Sequence, residues 1–201
     1  MKIPTIIICP GNGCTNIRQS NWYGHLYERL KQLDMPCVCD DFPDPLHARR
    51  EKWIPHIRKL VDQHVSNEKG VLLVGHSSGA QAALRYAEEY RLAGCVLVSA
   101  TYSDLGDEHE RASGYYPQVG AGGEETNGYN FEAMKKNCAI WHQFHSDNDP
   151  FIPLGEAERI RDGLRLPESS YHMLPGRSHF FDFEPKLLDV IISMSEKLKE
   201  K

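Results

Sequence analysis

No stretch of this chain approaches the roughly twenty consecutive apolar residues that span a bilayer. The opening segment, Met1 to Pro10, is too short and too broken by proline for the apolar region of a secretory signal. Excess positive charge is missing too. The net charge is −5 and the pI is near 6.1, so the chain has no footprint for nucleic acid or an anionic membrane surface. Its six cysteines, Cys9, Cys14, Cys37, Cys39, Cys95 and Cys138, contain no C-x-x-C and no paired metal-ligand spacing. Four of them, Cys9, Cys37, Cys39 and Cys95, fall in expected strands, where a thiol acts as a small apolar group. They read as reduced, which places the protein in the cytoplasm with the nucleus open to it. The ten histidines include no H-E-x-x-H and no compact cluster, so no metal is expected. No repeat, linker or low-complexity tract is visible.

What is there is ordinary in bulk: 201 residues, 40% hydrophobic and 25% charged, the balance and length of one soluble domain. Short apolar runs alternate with helical stretches from end to end. That alternation predicts a mostly parallel sheet with helices on both faces. Strands are expected at Thr5 to Pro10, Cys37 to Phe42, Val71 to Val74, Gly94 to Ala100, Ala139 to His145 and Ser170 to Leu174. Helices are expected at Trp22 to Leu33, at His47 to Val65 with a kink near Pro55, after the third strand through Glu89, at Phe131 to Asn137, at Leu154 to Leu164 and at Glu184 to Glu200. Thr101 to Asn130 reads as a long irregular insertion, including Gly120-Ala121-Gly122-Gly123. A loop of that length is functional, mobile or a solvated excursion. Because it leaves a central strand, its Gly114 to Asn130 part is expected to move over the site.

The third strand runs into Gly75-His76-Ser77-Ser78-Gly79, a G-x-S-x-G pattern, and a run of helix formers follows. Chance alone would produce the pattern in about one chain in fifteen of this length, so the strand-to-helix context decides its meaning. A sharp turn there lifts the Ser77 hydroxyl above the end of the sheet. The flanking glycines admit the close crossing of strand and helix. Ser78, the rival serine, is off-centre and better placed to lend its amide at a helix N-terminus. His76 shares the tight turn with Ser77, points elsewhere and reads as structural.

A serine hydroxyl is a weak nucleophile until a base and a group orienting that base are supplied. On a sheet with this elbow the partners follow in the order nucleophile, acid, histidine, each after a later strand. Asp149 follows the fifth strand, in Asp149-Pro150-Phe151-Ile152-Pro153, and two prolines stiffen its loop. Asp147, on the same turn, is the competing acid. His179 follows the last strand, whereas His142, His145 and His172 lie in or at the end of strands. For an oxyanion hole the amide of Ser78 needs a partner in the loop after the first strand. Asn12 is the choice, with Gly13 as the alternative. Trp22 and Tyr23 are candidate walls of the substrate pocket, although Trp22 fits the core equally well.

The chain resembles the retinoblastoma-binding protein 9 family of small α/β-hydrolases. The likeness covers most of the length and rests on Pro10-Gly11-Asn12-Gly13, Trp22-Tyr23-Gly24, Pro43-Asp44-Pro45, Gly75 to Ala80, Asp104 to Glu108, Glu110 to Tyr115, Asp149-Pro150-Phe151 and Gly176-Arg177-Ser178-His179-Phe180. The resemblance implies an α/β-hydrolase fold with a six-stranded core and no large cap domain. It also implies a serine hydrolase with a triad of Ser77, Asp149 and His179, and Phe180 beside them is taken as a further pocket residue. The chain departs from the family pattern at Gln118 to Asn130. It also lacks the L-x-C-x-E motif, whose leucine, cysteine and glutamate fall at Val65, Asn67 and Lys69. Binding to a retinoblastoma-type pocket is therefore not expected. The expected activity is cleavage of a small carboxylic ester, thioester or amide through an acyl-enzyme, with no cofactor. The alternatives are a binding or scaffold protein on the same fold, and an acyltransferase.

Overall fold

The computed structural model describes residues 3–65, 70–120 and 122–199. In chain order the elements are β1 (Thr5–Cys9), α1 (Tyr23–Gln32), β2 (Cys37–Val38), α2 (Arg50–His64), β3 (Val71–His76), α3 (Ser78–Glu89), β4 (Gly94–Val98), α4 (Glu108–Ser113), β5 (Gln118–Val119), β6 (Glu125–Thr126), α5 (Phe131–Asn137), β7 (Trp141–Ser146), α6 (Leu154–Leu164), β8 (Tyr171–Leu174) and α7 (Pro185–Lys199). Six strands form one sheet in the order β2-β1-β3-β4-β7-β8, and every pairing in it is parallel.

The central strands read as unbroken apolar runs because both faces of the sheet are covered. Successive side chains point to opposite faces, so each strand feeds two cores. Ile6, Ile8, Leu72, Val74, Val96 and Val98 pack with Leu26 and Leu30 of α1 and Leu187, Ile191 and Met194 of α7. Ile7, Leu73, Cys95 and Leu97 pack with Trp53 and Ile57 of α2, the alanines of α3 and Ile160 of α6. The strand order reverses between β1 and β3. The crevice beyond their carboxyl ends is where parallel sheets of this kind bind ligands. The loop after β1 and the turn after β3 meet there.

Three local expectations change. The second strand is only Cys37–Val38, because Pro36 and the turns after Phe42 leave little ladder to form. Helix α2 runs through Pro55 without interruption. The stretch expected to be irregular holds α4 and a two-stranded antiparallel ribbon, β5 with β6. Asp107 caps α4 by accepting hydrogen bonds from the His109 and Glu110 amides, and Gly114 closes it at φ 84°. Asp107-x-x-Glu110 has the spacing of a capping box, a signal that was present in the sequence.

Candidate active site

Ser77 sits between β3 and α3 at φ 53° and ψ −120°, outside the regions an L-residue adopts freely. Two close approaches hold that conformation. A β-carbon on Gly75 would strike the Gly79 carbonyl and lie 2.6 Å from Ala80 Cα. One on Gly79 would strike the carbonyls of Cys9 and Pro10 in the neighbouring strand. The Ser77 amide donates to the Val98 carbonyl at 2.9 Å, which pins the turn to β4. Ser77 remains partly exposed while Ser78 is buried at the start of α3.

The turn after β7 and the loop after β8 are stitched together. Gly176 N–H donates to Asp147 Oδ1, Arg177 N–H to Ser146 Oγ, and Ser178 N–H to Asn148 Oδ1. His179 Nδ1–H donates to Asp149 Oδ2 at 2.8 Å, and the other Asp149 oxygen accepts the Phe151 and Ile152 amides. The Asp149 side chain is 0% exposed and that of His179 is 8% exposed. Burial alone would raise the Asp149 carboxyl. The His179 hydrogen bond and charge, with the two amides, outweigh it and hold the group below the ordinary carboxylate range. Asp147 is committed to the Gly176 backbone, so of the two acids it is Asp149 that meets a histidine.

The other histidines are engaged elsewhere. His145 Nε2 bonds to the Ile152 carbonyl, and the His142 and His172 rings bond to each other at 2.9 Å with planes 7° apart. Among the described residues no three His, Cys, Asp or Glu side chains are grouped to hold a metal ion, and all six cysteines are free.

In the loop after β1, Gly11 N–H donates to Tyr23 Oη at 2.8 Å and Gly13 N–H donates to the Pro45 carbonyl at 2.7 Å. Gly13 is thereby spent as an oxyanion donor. Neither the Asn12 nor the Ser78 amide has a partner among the described hydrogen bonds outside helices and strands, and Asn12 lines the cleft.

That cleft encloses about 710 Å³. Ser77 and His179 share it with Asn12 and Asn21 at one side, Thr101 to Glu110 at another, and Phe151 and Phe181 at the rim. Among the described residues no hydrogen bond joins Ser77 Oγ to His179 Nε2. In ligand-free sites this contact is commonly long and tightens around substrate.

The expected pocket walls need correction. Trp22, Tyr23 and Phe180 are 2%, 0% and 1% exposed and belong to the core between the sheet, α1 and α7. The Trp22 indole N–H donates to the Phe180 carbonyl, which fixes that loop from beneath. Phe180 has φ 52°, and the residue after it, Phe181, is the one that reaches the cleft. Phe151 and Phe181 flank the His179 ring at centroid distances of 5.0 and 5.6 Å. Glu156 was not foreseen. Its Oε2 accepts hydrogen bonds from Thr101 Oγ1, Ser103 N–H and Ser103 Oγ, bracing the segment after β4 that lines the cleft. No local motif marks it, since α6 brings it from more than fifty residues away.

Among the described residues of Gly114 to Asn130, the segment expected as a mobile cover, only Tyr116 lines the cleft. The buried Arg85 guanidinium donates to the carbonyls of Tyr115, Asn127 and Gly128, pairs with Glu88 and lies 4.2 Å over the Tyr129 ring. Both ends of the segment are therefore tied to α3, and the β5–β6 ribbon projects beyond them.

Parallel sheet, elbow and cleft at the switch point together define an α/β hydrolase. Comparison with known proteins agrees. The family model described as "Serine hydrolase" matches residues 6–180, and the chain belongs to that family. It is 36% identical over 197 residues to the rat protein named serine hydrolase RBBP9, covering 96% of this chain and 97% of that one. The ydeN gene product of Bacillus subtilis superposes with a TM-score of 0.75 at 20% identity, over 95% of this chain and 98% of that one. A monoacylglycerol lipase from Paleococcus ferrophilus superposes with a TM-score of 0.68 at 17% identity, over 97% of each chain. These two structures show a shared fold. The chain is a serine hydrolase enzyme, and among its described residues no helix is long and apolar enough to cross a membrane.

Proposed function

We propose that this hydrolase cleaves small carboxylic esters, thioesters or amides through an acyl-enzyme on Ser77. Ser77 Oγ attacks the acyl carbonyl while His179 Nε2 takes its proton. Asp149 holds the His179 tautomer through Nδ1–H and stabilises the imidazolium. The Asn12 and Ser78 amides receive the developing oxyanion, and the helix N-terminus at Ser78 adds to its stabilisation. His179 then protonates the leaving group, water attacks the acyl-enzyme, and Ser77 is regenerated. The observation that carries this reading is the covered Asp149–His179 bond in the same cleft as the strained Ser77 elbow. Nothing in the sequence calls for a cofactor in these steps.

The lining also bears on substrate charge. Asp107 and Glu110 border the cleft and, among the described residues, no lysine or arginine does, which favours neutral or cationic acyl groups over anionic ones. The Phe151 and Phe181 rings supply apolar area for an acyl chain or an aromatic leaving group. Pocket-protein binding is not part of this reading. At the places of the L-x-C-x-E motif stand Val65, Asn67 and Lys69, and the last two lie outside the described residues. The lysine reverses the charge of the glutamate such a partner would meet.

The test is a p-nitrophenyl ester series of rising chain length, with a hemisuccinate ester as the anionic member, run beside labelling by an alkyl fluorophosphonate. Wild type should label at Ser77 and turn over the neutral esters at least tenfold faster than the hemisuccinate. A folded Ser77→Ala variant should do neither, since loss of a triad serine costs on the order of 10⁶ in turnover. Undiminished labelling of Ser77→Ala would sink the assignment.

A further inference from the structure

Along one wall of the cleft, through Gly11, Asn21 and His76, runs a largely buried chain of hydrogen bonds that the triad does not use. Gly11 N–H and Asn21 Nδ2–H both donate to Tyr23 Oη, at 2.8 and 3.1 Å. Tyr23 Oη lies 2.6 Å from His76 Nδ1, and His76 Nε2 lies 2.8 Å from the His179 carbonyl oxygen. Every proton in this chain has one consistent place. A carbonyl oxygen only accepts, so His76 Nε2 carries a hydrogen. Burial pushes the His76 imidazole down to about 3, so the ring is neutral and Nδ1 is a bare acceptor. Tyr23 Oη already accepts two donors and therefore gives its own hydrogen to Nδ1. Tyr23 and His76 are both fully buried, and their rings sit 5.7 Å apart.

We propose that Tyr23 and His76 are positioning residues that hold the oxyanion loop and the His179 loop in register across the nucleophile elbow. This inference rests on the roles assigned above to Asn12 and His179. Gly11 turns its amide to Tyr23, while the next amide, that of Asn12, has no partner among the described hydrogen bonds and belongs to a residue that lines the cleft. Both His76 ring nitrogens are engaged, so it offers no free base to the acyl carbon, and through Nε2 it fixes the backbone of the residue acting as base. Its neighbour Ser77 carries the nucleophile, so one rigid strand end sets all three groups. Catalytic geometry is sensitive at this scale, since a displacement of about 1 Å can cost about 10²-fold in rate.

The experiment compares Tyr23→Phe, His76→Leu and their double variant in steady-state kinetics well below Tm, with fluorophosphonate titration to count competent sites. Tyr23→Phe keeps the ring and removes the hydroxyl. His76→Leu removes both the acceptor for Tyr23 and the donor to the His179 carbonyl. Each single change should lower kcat about 10- to 100-fold with KM within about threefold. The double variant should be no slower than the slower single, because both remove the same bond. Asn21→Gly, which leaves the buried ring in place and suits the φ of 45° at this position, should lower kcat about two- to fivefold with Tm nearly unmoved and covers the case of a poorly folded core variant. Wild-type kcat in the folded variants, a fall in Tm alone, or losses that multiply in the double variant would overturn the proposal. If Ser77→Ala retained activity, the triad reading itself would fail. If Ser77→Ala were dead and Tyr23→Phe fully active, only the positioning role would be lost.

Discussion

At Ser77 the backbone sits where a non-glycine residue costs about 1–3 kcal/mol, and packing of Gly75 and Gly79 against β1 and α3 holds it there. The same logic of close packing separates Asp147 from Asp149. Both carboxylates accept hydrogen bonds, but Asp147 takes a backbone amide and Asp149 takes the imidazole. Asp149→Asn should lower kcat by about 10⁴, because the amide favours the wrong tautomer of His179. Asp147→Asn should cost less than about tenfold, since an amide oxygen can still accept from Gly176. Steady-state kinetics on the two variants decides between them. A crippled Asp147 variant beside an active Asp149 variant would reverse the assignment.

At the scale of elements, α3 does two things. Its N-terminus opens under Ser77, and its buried Arg85 anchors the segment between α4 and α5. Arg85→Leu would leave the Tyr115, Asn127 and Gly128 carbonyls without this donor and reduce the partners of Glu88 to the Asn130 amide and Arg50, at a cost of about 3–5 kcal/mol. Limited proteolysis should then nick between Gly114 and Asn130 at least tenfold faster than in wild type, and thermal melting should report the loss of stability. Because the β5–β6 ribbon does not line the cleft, an acyl adduct on Ser77 should leave cutting of the ribbon unchanged. Protection of the ribbon by the adduct would show instead that it closes over substrate.

Across the whole molecule, burial disfavours the charged form of five histidines, His56, His76, His142, His145 and His172. Burial pushes His76 down to about 3, and both His142 and His172 down to about 4. The charge of Lys197 adds to the effect at His142, and the charges of His142 and Lys186 add to it at His172. In the unfolded chain each titrates near pH 6.5. Between that value and the folded values the unfolded state binds more protons, so stability is full above about pH 6.5 and falls as pH drops. Tm should therefore decline from about pH 6.5 toward pH 4. The double variant His142→Gln and His172→Gln should show a shallower decline. Asp149, held low in the fold, contributes stability above the unfolded carboxylate value of about 4 and loses it as pH falls below that. A Tm that is flat between pH 7 and 5 would contradict the neutral burial of these rings.

The sequence by itself determined whatever depends on neighbours along the chain. Apolar runs and helical spacing specify alternating strands and helices, and six of those strands form the parallel sheet. G-x-S-x-G between a strand and a helix marks the elbow because the steric requirement is local. The order of later strands left Asp149 and His179 in the loops that the structure brings together. Tertiary structure decided how neighbouring groups within one loop are used. Phe181 and not Phe180 reaches the cleft, Gly13 and not Asn12 spends its amide on Pro45, and Asp149 and not Asp147 meets His179, all differences of one or two residues in loops without periodicity. There the direction of a side chain or amide follows φ and ψ, and contacts from distant segments set those angles: Trp22 on the Phe180 carbonyl, Pro45 on Gly13, Asn148 on Ser178. Tyr23 lay hidden for the same reason. Its pattern marked an aromatic near the cleft, and only the packing of α1 against β3 turned its hydroxyl inward to His76 and Gly11.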